Sequence, residues 1–241
     1  IRDIPTIELM PVSDLLITKF QEGLCTINFN KYDPTLQDLL NGDCSPPVVN
    51  DIYYGNVTFA TQTAIDTFRN EPHAYHKIVG NVMIYNYNSS EYINNLDGLL
   101  GIDTIVGNVD MTNSYSLNYS GCILDISGLN SIQKIDGDLK INSCRFLKSL
   151  NGLNNLNYIG GKFQLRRCRS LKTLDGLENL STVTTTIEIG DAETQDNDSL
   201  NDYCAISDLL IQKYQEGNCT ILYNAYCPTL QDLLNGDCAP P

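Results

Sequence analysis

The sequence predicts a mainly β fold, a right-handed parallel β-solenoid closed by small α-helical, disulfide-bonded caps. Three observations carry that expectation: a duplicated 36-residue segment, a shorter repeat lying between the copies, and cysteines gathered in the duplicated segment. Residues 12–47 (VSDLLITKFQEGLCTINFNKYDPTLQDLLNGDCSPP) and 206–241 (ISDLLIQKYQEGNCTILYNAYCPTLQDLLNGDCAPP) agree at 27 of 36 positions and stand 194 residues apart. Repetition at a domain-sized period is the mark of a tandem array. The chain therefore reads as the tail of one module followed by one complete module, cut from a longer polypeptide.

Residues 1–47 are the cap segment of a preceding module, with helix signals at Ser13, Gly23, Pro34 and Gly42. Residues 48–77 form a linker and an N-terminal cap. Ser45 to Asn50 is a stiff, Pro-rich connection, Gly55 to Thr61 alternates like a strand, and Gln62 to Phe68 reads as a short amphipathic helix. Residues 78–203 are the stack, of about five coils. Its strands are Val82 to Ile84, Val109 to Met111, Leu139 to Ile141, Phe163 to Leu165, and Ile187 to Ile189. A Gly-Leu pair follows at Gly98, Gly128, Gly152 and Gly176, with one wide interval and then two equal shorter ones, near the period of repeat solenoids. One such coil cannot bury its apolar face alone, whereas stacked coils build a continuous aliphatic column. Leu139, Ile141, Leu147, Leu150, Phe163, Leu165, Leu171 and Leu174 belong to that column, and Lys140 and Gln164 point outward. Glycine fits where a side chain would obstruct the neighbouring coil.

An open stack needs covers at its ends. Residues 204–241, the second copy of the 36-mer, are the back cap: a helix opened by Ser207 or Asp208 and ended by Gly217, then a second with Pro228 in its first turn, ended by Gly236. Cys25 and Cys44 recur there as Cys219 and Cys238, whereas Cys204 and Cys227 replace Met10 and Asp33 together. Cysteines that appear in pairs favour bonding in pairs, which gives Cys25–Cys44, Cys219–Cys238 and Cys204–Cys227. The rival scheme joins Cys204 to Cys238 and Cys219 to Cys227. Cys144 and Cys168 occupy one position in adjacent coils and read as buried thiols alongside Cys122; the alternative is one disulfide among the three. This use of cysteine points to an oxidising compartment.

The pattern I-x-G-x-hydrophobic-x-I with a later Leu-x-Gly-Leu, at residues 135 to 153 and 159 to 177, resembles the receptor L-domain type of leucine-rich repeat. Together with the Gly55 to Thr58 strand and the Asn224 to Thr229 segment, it is similar to secreted surface proteins of Bacteroidetes bacteria. The resemblance covers residues 51 to 241. It implies a secreted or cell-surface protein with a structural or adhesive role. The chain departs from the pattern at Asp33 and Cys227, which replace the Asn expected before Pro, and in extra residues near Asn113 to Gly121.

Function classes narrow by chemistry. With 15 Lys and Arg against 29 Asp and Glu, the net charge of −14 argues against nucleic acid and anionic membranes as partners of the whole chain. No apolar run approaches the ~20 residues that span a bilayer. His73 and His76 are the only histidines and have only Glu71 beside them, so no metal is expected. No nucleophile has a base within its coils, so no catalytic residue, enzyme activity or cofactor is expected. Asp97, Asp136 and Asp175 precede glycines once per coil, which turn chemistry explains better than calcium. Sequons at Asn56, Asn88, Asn118, Asn179, Asn197 and Asn218 matter only in a host that glycosylates.

Charge distribution is the one feature beyond scaffold. Nine basic residues between Lys134 and Lys172 meet only Asp136 and Asp138, a local charge of +7 against −21 for the remainder. Lys140, Arg145, Lys148, Lys162, Arg166, Arg167, Arg169 and Lys172 are the candidate binding residues. The plain reading is a solvated face. The functional reading is a docking patch for an acidic face of another copy or of a neighbouring surface protein, or for an anionic glycan. The chain is thus expected to be a module of a repetitive extracellular protein, a filament or stalk; the alternative is a ligand-binding ectodomain that uses the basic face of coils 3 and 4.

Overall fold

The structure, a computed structural model, describes residues 52–69, 75–86, 91–113, 123–191 and 197–240. All belong to one compact unit, Asp51–Pro241. The expected cap segment at 1–47 with its Cys25–Cys44 bridge, and likewise His73, Asn88, Asn118 and Cys122, lie outside the described residues.

Among the described residues the fold is mainly β, with two parallel sheets and few helices. Strands β1 (Ile52–Tyr54), β3 (Lys77–Val79), β5 (Thr104–Val106), β7 (Lys134–Ile135), β9 (Tyr158–Ile159) and β11 (Thr182–Val183) make a six-stranded sheet in that order. Strands β2 (Val57–Phe59), β4 (Val82–Asn86), β6 (Val109–Asn113), β8 (Leu139–Asn142), β10 (Phe163–Arg166), β12 (Ile187–Ile189) and β13 (Cys219–Ile221) make a seven-stranded one. From β1 to β12 the chain alternates between the sheets, so sequence neighbours never pair and each strand lies parallel to the strand two elements on. Phe163 pairs with Leu139 of the repeat before it and with Ile187 of the repeat after.

Each repeat contributes inward side chains from both sheets. In the seven-stranded sheet Val82, Val109, Leu139, Phe163 and Ile187 form one buried row, and Ile84, Met111, Ile141, Leu165 and Ile189 the next. The other sheet adds Ile78, Ile105, Ile135, Ile159 and Val183. The Gly-Leu pairs at 98–99, 128–129 and 152–153 lie in 3-10 turns that drop Leu99, Leu129 and Leu153 into the same core. The expected column is present, and all eight named core residues are at most 1% exposed, while Lys140 and Gln164 are half-buried on the outer face. The six-stranded sheet was not anticipated as strands. Its members are two or three residues long and most bury one side chain each, too little alternation to read in sequence.

Backbone contacts between repeats are as close as the side-chain packing. At Gly152 a Cβ would stand 1.8 Å from the Ile126 carbonyl oxygen, so the turn closes directly on the preceding repeat. A second device is a side-chain ladder at the corners before β2, β4, β6, β8 and β10 of the larger sheet. Asn56 Oδ1 accepts the Asn81 N–H, Asn81 Oδ1 the Asn108 N–H, Asn108 Oδ1 the Asp138 N–H, and Asp138 Oδ1 the Lys162 N–H, each at 2.8 Å. Parallel strands that turn a corner leave an N–H without a strand partner; three of these four bonds are exposed, so there the side-chain oxygen takes the place that water would otherwise fill. The recurring Gly-Asn-Val at residues 55, 80 and 107 carries this ladder.

At the front, α1 (Gln62–Arg69) packs Ile65 into the core, and Phe68 meets Tyr53 and Phe59 edge-on at 5.4 Å. At the back stand α2 (Ser207–Gln215), β13 and α3 (Leu230–Asn235). The first of these helices is preceded by Ile206 with no side-chain cap, so neither Ser207 nor Asp208 opens it as expected. Pro228 lies before the second helix rather than in its first turn. Thr229 caps that helix instead, in a capping box with Asp232, and Gly236 ends it in the left-handed region at φ 87°.

The cap cysteines require a correction. Cys204 is bonded to Cys238, so the expected Cys204–Cys227 and Cys219–Cys238 bridges are absent. The cause is the backbone. Tyr203 N–H donates to the Cys238 carbonyl at 3.0 Å, which brings the two Cα atoms to 5.0 Å, while Cys219 is held in β13 opposite Ile187. A shared cysteine thus pairs with one present only in the second copy. Cys204→Ser is expected to cost about 2–5 kcal/mol by freeing a long loop of the unfolded chain; a urea midpoint equal to that of the reduced wild type would show that the bridge accounts for the whole loss.

Cys144 and Cys168 are wholly buried thiols with no disulfide. Both sulfurs donate to backbone carbonyls, Cys144 to Asn142 and Cys168 to Ile141 and Arg166. Asn197 and Asn224 continue this row. Asn197, wholly buried, accepts the Cys168 N–H at 2.8 Å and donates to the Leu165 carbonyl and to Asn224 Oδ1, and Asn224 donates in turn to the Ile189 carbonyl.

Candidate binding face

The basic residues occupy two places. Lys140, Lys162 and Arg166 belong to the outer face of the seven-stranded sheet or its entry corner, where Asp110, Lys140, Gln164, Glu188 and Thr220 share one register row. Arg145, Lys148, Arg167, Arg169 and Lys172 follow the strands, in the corners that lead back to the other sheet. Stacking of one repeat on the next places Lys140 beside Gln164, as expected. Ser170 N–H donates to the Arg145 carbonyl at 3.0 Å, which sets the Arg145 and Arg169 corners against each other. Ser143 and Arg167, at equivalent positions of adjacent repeats, both turn through the left-handed region, at φ 59° and 56°.

Half of the patch, Lys162, Arg166, Arg167 and Arg169, is neutralised by acids from later repeats. Glu188 accepts from Lys162 Nζ, from Gln164 Nε2 at 2.8 Å and from Arg166 at 3.1 Å. Asp191 pairs with both Arg166 and Arg167 at 3.4 Å, and Asp198 with Arg169 at 3.6 Å. Lys140 pairs with Asp138 at 3.2 Å, and Lys134 with Asp136 at 2.8 Å while lying over the Tyr158 ring. The sequence window from 134 to 172 missed this compensation because its partners, Glu188, Asp191 and Asp198, lie one repeat further on. The constant interval between the last Gly-Leu pairs was the signal that could have found them. Arg145, Lys148 and Lys172 form no ion pair among the described residues, and the buried Arg145 Nε has no hydrogen-bond acceptor.

The carboxylates register these contacts. Partial burial pushes Glu188 upward, but hydrogen bonds from Lys162 and Gln164 and the charges of Lys162 and Arg166 outweigh it and hold the carboxyl below its ordinary range. Asp138 is likewise lowered: burial acts against it, and the Lys162 N–H and the Lys140 ammonium prevail. A carboxylate lowered by folding contributes stability that is present above its unfolded pKa and lost as pH falls through the folded one. Glu188→Gln is therefore expected to lower the urea midpoint at pH 7, by a difference that starts to shrink near about pH 4 and closes only as pH falls through the lowered pKa of the folded carboxyl. A difference that persists unchanged at pH 3 would mean that charge is not the cause.

Among the described residues, no group of three His, Cys, Asp or Glu is placed to hold a metal ion, and no helix is long and apolar enough to cross a membrane. Comparison with protein-family models, curated proteins and solved structures finds no match for this chain.

Proposed function

We propose that the chain is a structural or adhesive module of a repetitive extracellular or cell-surface protein, built as a right-handed β-solenoid of the leucine-rich, receptor L-domain type. Residues 78–203 are the solenoid, 48–77 and 204–241 its covers, and 1–47 the end of the preceding module. The observation that carries this reading is the continuous hydrogen-bonded stacking of every repeat on the last, with side-chain ladders and ion pairs running the same way. Such a unit transmits length and stiffness. The Cys204–Cys238 bridge supports an oxidising compartment. Its partners are other copies or neighbouring surface proteins, and no catalytic step is assigned.

A second reading is favoured by Arg145, Lys148 and Lys172, the basic residues left without ion-pair partners among the described residues. They suit an anionic glycan at the corner edge of the stack. One experiment separates the two readings: sedimentation of the full chain and its retention on a sulfated polysaccharide, each in dilute and half-molar salt. The module reading expects salt-sensitive self-association, lost when Arg166, Arg167 and Arg169 are reversed to Glu, and no glycan retention. Retention that disappears with Arg145, Lys148 and Lys172 changed to Ala establishes the second. Indifference to salt and to both triple changes overturns both and leaves a solvated face.

A further inference from the structure

The back cap holds another pair of cysteines beside the bridged one. Cys219 opens β13, and Cys227 lies further on, in the segment before α3; both are half-buried against the core and both are thiols. Two tyrosines define the space between them. The Tyr214 hydroxyl donates to the Pro228 carbonyl at 2.9 Å, and Cys219 and Cys227 are both among the groups whose electrostatics act on it. The Tyr203 hydroxyl donates to the Tyr226 carbonyl at 2.8 Å. The peptide carrying Cys227 is thus pinned on both sides, by tyrosines whose electrostatic surroundings include both thiols.

We propose that Cys219 and Cys227 form an oxidation site, a thiol pair that closes to a second cap disulfide by exchange with a small-molecule disulfide. The duplicated segment points the same way. Cys204 and Cys227 are the two cysteines that the second copy has and the first lacks, where Met10 and Asp33 stand. Cys204 bonds the shared Cys238. That leaves Cys227, the other added cysteine, to the other shared position, Cys219. Cys144 and Cys168 do not compete, because both are wholly buried with their sulfurs on backbone carbonyls.

The exchange has an order. The backbone N–H and the side-chain amide of Asn224 both donate to Cys227 Sγ, at 3.4 and 3.7 Å, so the negative charge of an attacking sulfur has donors in place. Cys227, deprotonated, attacks one sulfur of the small disulfide, forms the mixed disulfide and releases one small thiolate. Cys219 then gives up its proton, displaces the second small thiolate and closes the ring. The chain loses two electrons and two protons, and one small disulfide becomes two small thiols. Burial pushes the Cys219 thiol up to about 12, which makes closure the slow step.

The test is thiol counting and peptide mapping of the full chain, as isolated and after incubation with oxidised glutathione at mildly alkaline pH. The expected result is a Cys219–Cys227 linked peptide lighter by two hydrogens than its reduced parts, with the Cys204–Cys238 peptide unchanged. In Cys227→Asp, which carries the residue of the first copy, Cys219 should remain alkylatable in denaturant. Should that variant fail to fold, the wild-type map decides alone. A glutathione adduct persisting on Cys227 beside a free Cys219, a Cys219–Cys238 peptide, or both thiols intact after incubation would overturn the proposal.

Discussion

Phe163→Ala is expected to destabilise the protein by about 3–5 kcal/mol. Phe163 is wholly buried and lies in register between Leu139 and Ile187, with Val109 one repeat further along the same row. Deleting the ring removes its transfer free energy and leaves a cavity that the neighbours cannot fill, because hydrogen bonds on both sides fix the strand spacing. Urea denaturation checks it through the midpoint at constant m value. A loss below about 1 kcal/mol would mean that the row has slack and collapses around the gap.

Gly152→Ala is expected to cost at least as much, about 3 kcal/mol or more, although it adds only a methyl group. Cores with room absorb one methyl by shifting a side chain. Here the obstacle is the Ile126 carbonyl, 1.8 Å from the added carbon and part of the backbone. Relief requires the two repeats to separate, which strains the 3-10 turn at 151–153 and the pairing of β7 with β9. The effect should fall on the unfolding midpoint, and a variant as stable as wild type would show that the turns do not close on one another. Gly217 is the natural control, since a Cβ there has open space although its φ of 74° favours glycine.

The coil repeat was legible because it is written three times over, in alternating strands, in Gly-Leu pairs and in the Cys144 and Cys168 positions. The smaller sheet was not, since Tyr158–Ile159 or Thr182–Val183 offers one buried residue in two and no period to detect. The bridging of Cys204 to Cys238 belonged to the rival scheme rather than the favoured one, for a different reason. Duplication records which cysteines are shared between copies, whereas bonding follows proximity, and the Tyr203 to Cys238 hydrogen bond joins the two ends of the cap, a contact that no local pattern announces. Within the candidate face the basic residues were legible and their neutralisation was not. A run of charges in sequence was read as a patch in space, yet Arg166, Arg167 and Arg169 face acids a whole repeat away.

The burial of Asn197 sets a condition on how this protein can be made. Its side-chain amide is spent on Cys168, Leu165 and Asn224, yet Asn197-Asp198-Ser199 is a sequon that an oligosaccharyltransferase reads on the unfolded chain. A sugar attached there during translocation cannot be accommodated in a wholly buried position, so the marked chain would never complete its last repeats. Secretion from a glycosylating host should therefore yield two populations, a folded one bare at Asn197 and a retained one carrying the sugar. Ser199→Ala, which erases the acceptor motif while leaving the buried amide in place, should merge them into one.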